Sequence, residues 1–133
     1  MKGIAAYRTN RVASAPNEQI VVMLFETAIH RLERARAAMV SAHRGARIEW
    51  LGDLGHVRAI VIELSNALDA DAAPELSRNL AMTYGWMLNR IGEVGKSGVA
   101  EEIDALLRVC TTLHEAFQHA ASASDDEPIA EAG

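Results

Sequence analysis

The chain is poor in the features that usually betray a function. Its 133 residues hold one cysteine, Cys110, so no internal disulfide can form. Only three prolines, Pro16, Pro74 and Pro128, interrupt it, and aromatic residues make up 5% of it. No apolar run approaches the roughly 18 uninterrupted residues of a membrane span. Nor does the start resemble a secretion signal, since Ile4 is soon followed by polar Arg8-Thr9-Asn10-Arg11. Sustained period-two alternation, the mark of half-buried strands, is missing too. Together these absences predict a soluble, cytoplasmic, all-helical protein without membrane insertion. The formal charge of −5 speaks against nucleic acid as a partner, because neutralising phosphates takes a basic patch.

Half of the residues are apolar, enough for a single globular domain with a substantial core. Residues 1–13 form a leader in which Ile4, Tyr7 and Val12 are the candidate docking side chains of an N-terminal cap. Ser14-Ala15-Pro16-Asn17-Glu18 is a helix-start signal, with a hydroxyl cap and a proline in the first turn. A first helix then reaches about His43, its apolar face carried by Val21, Leu24, Phe25, Ala28, Leu32, Ala35 and Met39, before Gly45 ends it. A second helix spans about 47–70 along Leu54, Val57, Ile60, Val61, Leu64 and Leu68, with Gly52 and Gly55 weakening its start. Pro74 and Glu75 open a third helix over about 74–94. Gly92, Gly95 and Gly98 are expected to form the next connection. The fourth helix, over 99–121, carries Val99, Ile103, Leu106, Cys110, Leu113 and Phe117 at the spacing of a bundle seam. Residues 122–133, rich in Ser, Asp and Glu, are predicted to be a disordered acidic tail. Short loops between long helices favour antiparallel neighbours, and the predicted fold is an antiparallel four-helix bundle over 14–121.

Candidate chemistry dissolves on inspection. Gly92-Glu93-Val94-Gly95-Lys96-Ser97 ends like a phosphate-binding loop, but Arg90 stands where that motif needs its first glycine, and no strand precedes it. It reads as a glycine-rich interhelical turn. His114 and His119 are five apart and point about 140° from one another on a helix, so they cannot share a metal. No histidine follows a glutamate by three, as a di-iron bundle requires. Glu26 and His30, four apart, suit a surface contact. Cys110 falls in an apolar stripe and reads as a small buried hydrophobe. No catalytic residue, metal ligand or cofactor is assigned.

The segment Asn79–Ile91 stands out. Leu80, Tyr84, Met87, Leu88 and Ile91 recur at helical spacing, and Met82 and Trp86 widen the apolar surface beyond that line. Such soft, adaptable side chains suit either a core or a partner helix.

Read in order, the residues resemble the flagellin export chaperones of the FliS type. The likeness is carried by Tyr7-Arg8-Thr9-Asn10-Arg11-Val12, by Ile20-Val21-Val22-Met23-Leu24-Phe25-Glu26-Thr27-Ala28-Ile29, and by Ile60-Val61-Ile62-Glu63-Leu64 with Leu68-Asp69. It continues through Pro74-Glu75-Leu76-Ser77-Arg78-Asn79-Leu80, Tyr84, Met87 and Arg90. Asn17, where that family more often has its proline, Phe25 in place of a tyrosine, and Phe117 in place of a tryptophan are departures that preserve shape. The resemblance implies a cytoplasmic chaperone. Such a protein binds the C-terminal segment of flagellin, prevents premature polymerisation and brings the client to the flagellar type III export gate. The candidate client surface is Leu80, Tyr84, Met87 and Leu88 with Ile20 and Met23. Periodicity finds an apolar face without saying whether core or client covers it. Two other classes stay in view: a helical-bundle adaptor with a different amphipathic client, and a bundle enzyme or metal protein.

Overall fold

The computed structural model describes the backbone of residues 14–132 and the side chains of residues 18–123. The leader residues Ile4, Tyr7 and Val12 lie outside them. Helix α1 spans Ser14–Ser41, α2 Ala46–Asn66 and α3 Pro74–Ser97. A 3-10 turn, Ala100–Glu102, leads into α4, Ile103–Ala132. There is no strand among the described residues. The fold is an all-α four-helix bundle.

Pairing shows the antiparallel arrangement directly. As α1 advances from Glu26 to Arg36, its partner on α4 retreats from His114 to Asp104. Helix α1 packs along both α2 and α4, whereas α3 leans on α2 and meets α4 only sparsely. The core sits where the predicted stripes converge. Phe25, Ala28, Leu32 and Ala35 of α1 meet Leu54, Val57, Ile60, Val61 and Leu64 of α2. Tyr84, Met87, Ile91 and Val94 come from α3, and Ile103, Leu106 and Cys110 from α4. The rings of Phe25 and Phe117 stack with centroids 5.7 Å apart, closing α1 onto α4. Leu24 and Phe117 are only partly buried, at the edge of this core.

Four boundaries differ from the sequence reading. Helix α2 stops at Asn66 rather than near residue 70, which leaves Leu68 in the turn that follows. Gly92 and Gly95 are not a connection but lie inside α3, and the same holds for the phosphate-loop look-alike from Gly92 to Ser97. Packing against α2 outweighs the cost of glycine there, about 1 kcal/mol each. Gly98 alone makes the turn. Its φ of 64° is left-handed, and its N–H donates to the Val94 carbonyl at 2.8 Å, closing the helix end. Val99 therefore falls outside α4 and is exposed. At the other end, α4 continues beyond Ala121, the last buried side chain among the described residues, and its backbone stays helical to Ala132. No glycine separates Val99 from Ala132 to stop it. Gly52 and Gly55, expected to loosen the start of α2, lie in unbroken helix from Ala46 onward.

An open seam between α3 and α4

Helix α3 has two apolar faces, and among the described residues only one is covered. Leu80, Tyr84, Met87, Ile91 and Val94 recur at steps of four and three and turn into the bundle. Met82 and Trp86 sit on the adjoining face, 69% and 40% exposed. Because α4 stands away from α3, this second face is left open. Thr83, Val109, Thr112 and Leu113 floor the resulting seam, and Arg108 stands at its rim. Thr83 donates its hydroxyl back to the Asn79 carbonyl at 3.1 Å, so the floor is less polar than its composition suggests. The Arg90 guanidinium lies over the Trp86 ring, 5.7 Å from its centroid, one turn further along α3.

A second concavity of about 310 Å³ opens where α1 begins and the α2–α3 turn passes. Val21, Leu64, Leu68, Leu76, Leu80, Tyr84 and Phe117 are among its walls, with Glu18 and Asp69 at its polar side. The turn is fastened by Asp69, whose carboxylate accepts the N–H groups of Asp71 and Ala72, while Ser77 donates its hydroxyl to the Asp69 carbonyl.

The six client-surface candidates divide. Leu80, Tyr84 and Met87 are buried by the bundle itself, with 8%, 2% and 0% exposure. Leu80 and Tyr84 still line the concavity, whereas Met87 lies beneath the surface. Leu88 is half-buried. Ile20 and Met23 are exposed on α1. Met82, Trp86 and Val109 were not among the candidates. The signal for the first two was present, since both fall off the Leu80–Tyr84–Leu88 line on an otherwise apolar helix.

Among the described residues the one thiol is not activated. Burial pushes the Cys110 thiol up to about 12, so it stays protonated and out of solvent. Burial raises the Tyr84 phenol to about 12 as well, with Cys110 nearby adding to it. Ser41, His43 and Glu49 do line up, with Ser41 Oγ 2.7 Å from His43 Nδ1 and His43 Nε2 3.1 Å from Glu49. All three side chains are exposed around the α1–α2 turn, and they fasten it where Ala42 adopts a left-handed φ of 50°. The expected surface partner of Glu26 is not His30 but His114, which reaches it from α4 at 3.0 Å. No group of three or more potential metal ligands occurs among the described residues.

The family of the flagellar protein FliS matches residues 1–124. A flagellar secretion chaperone FliS from Vibrio cholerae is 25% identical over 108 residues, covering 81% of this chain and 77% of that protein. One from Escherichia coli K12 is 29% identical over 114 residues, covering 80% of this chain and 82% of that protein. With a match running through the leader and the whole bundle, the chain belongs to the flagellar protein FliS family, a family of chaperones and not of enzymes.

Proposed function

We propose that this protein binds the C-terminal segment of flagellin in the cytoplasm, keeps it from polymerising prematurely and delivers it to the flagellar type III export apparatus. The observation that carries this reading is the open α3–α4 seam, an apolar face that the described residues leave uncovered on a bundle whose relatives are flagellar secretion chaperones. An amphipathic client segment, disordered when free, hides its apolar face by folding into such a groove. Folding on binding costs about 2–5 kcal/mol of the gross interaction, so a long apolar contact is needed to offset it.

The seam is one part of the proposed client surface. Ile20, Met23 and Leu88 are accessible to the same client, and Leu80 and Tyr84 are reached through the concavity near the start of α1. Met87 supports this surface from beneath. Ile4, Tyr7 and Val12 cover part of it until the client displaces them. Seeded polymerisation of purified flagellin tests the reading: stoichiometric addition of this protein suppresses filament growth, and growth at an unchanged rate contradicts it. Among the described residues no helix is long and apolar enough to cross a membrane, so contact with the export apparatus runs through protein surfaces.

A further inference from the structure

The rim of the α3–α4 seam carries two arginines, with Glu93 beside one of them. Arg108 lines it from α4, and Arg90 stands over Trp86 from α3. Among the described residues no acidic side chain lines the seam at either of its two hollows. Trp86 faces Val109 across it, so Arg90 and Arg108 lie at similar heights, within about one turn of each other along the bundle. Arg90 is only loosely paired: its Nη1 stands 3.6 Å from a Glu93 carboxylate oxygen, an ion-pair distance beyond hydrogen-bond reach. A guanidinium has five donors in a fixed fork, and here the Trp86 indole already holds its plane. Its terminal Nη groups, rather than the buried Nε, can take an incoming carboxylate. The protein as a whole is acidic, at a net −5, so long-range attraction cannot bring an acidic partner here. The local pair of cations beside an apolar floor supplies the selectivity instead.

We propose that the α3–α4 seam selects an amphipathic helix bearing a carboxylate beside its apolar face, the apolar side chains lying on Met82, Trp86 and Val109 while Arg90 and Arg108 take the acid. This rests on the chaperone reading and specifies its client's chemistry. Arg90 and Arg108 are specificity determinants; the apolar floor supplies most of the contact.

The test is titration of the full-length protein with a synthetic peptide of the C-terminal helical segment of flagellin from the same organism. A second peptide has its Asp and Glu residues replaced by Asn and Gln. Arg90→Gln with Arg108→Gln weakens the native peptide roughly tenfold or more and leaves the neutralised peptide unaffected. Wild-type protein prefers the native peptide over the neutralised one by a similar factor, an arm that needs no variant to fold. Equal affinity for both peptides, or no effect of the double substitution, overturns the proposal while leaving the chaperone reading intact. Failure of the wild type to bind either peptide overturns both. Sedimentation velocity supplies the remaining arm: a dimer broken by Met82→Glu shows the seam to be filled by a second copy, which also overturns it.

Discussion

Arg36 of α1 grips Asp104 of α4 with both arms of its guanidinium, Nε at 2.7 Å from one carboxylate oxygen and Nη2 at 3.3 Å from the other. The pair pins the start of α4 to the central helix close to the 3-10 turn. The hydrogen bond from Arg36 holds the Asp104 carboxyl below its usual range, with the charges of Arg36 and Arg108 adding to the effect against a smaller burial penalty. A carboxylate with a depressed folded-state pKa stabilises above its unfolded value and loses that contribution as pH falls through the folded one. Melting measured from neutral pH into the acid range should therefore show a loss that Asp104→Asn shares at neutral pH and does not repeat in acid. Parallel curves for the two proteins would contradict this role.

Asp53 is 3% exposed on α2 and is met by Arg31 at 3.0 Å and Arg34 at 3.7 Å, both from α1. The arginines can turn to water, but the aspartate cannot. Removing Arg31 strands a buried charge with one distant partner and should cost about 2 kcal/mol or more. Asp53→Ala should cost less. Urea denaturation of the two variants measures the difference, and an equal or reversed order would show that the pair is not as asymmetric as its burial implies.

Two glycines at the end of α3, one inside the helix and one just past it, should respond in opposite ways. At Gly98 a Cβ would stand 3.2 Å from Cζ2 of Trp50, on a backbone already at positive φ. Gly98→Ala should cost about 1–2 kcal/mol. At Gly95 a Cβ would make only an ordinary contact, 3.9 Å from Leu51, inside a helix. Gly95→Ala should be neutral or gain up to about 1 kcal/mol. Thermal melts decide it, and stabilisation at Gly98 would contradict the strained turn.

The glycines also show where the sequence stopped being informative. Pro74, Glu75 and the apolar periods placed all four helices, because caps and one-sided stripes are local signals. Gly92 and Gly95 misled because glycine's cost is local while the packing that overrides it comes from α2, distant in sequence. Asp53 and Arg31 were unreadable as a pair for the same reason, as was the Glu26 to His114 contact. The exposed apolar face of α3 was half legible. An apolar excess on α3 could be read from Leu80 to Ile91. That Tyr84 and Met87 face inward while Met82 and Trp86 face out depends on which flank α2 covers.

Cys110 is fully buried, its thiol held protonated. An aromatic disulfide reagent should leave it untouched in the native protein and react at once in denaturant. Rapid native labelling, followed by absorbance, would mean that α4 opens readily.

The central claim is that the α3–α4 seam holds a flagellin segment, and calorimetric titration with the C-terminal flagellin peptide tests it most directly. Wild-type protein should bind saturably at one to one. Met82→Glu, at an exposed site, should abolish binding without changing the melting temperature, whereas Tyr84→Asp, in the core, should unfold the bundle. Peptide bound equally well by Met82→Glu, or not bound by the folded wild type, would contradict the account.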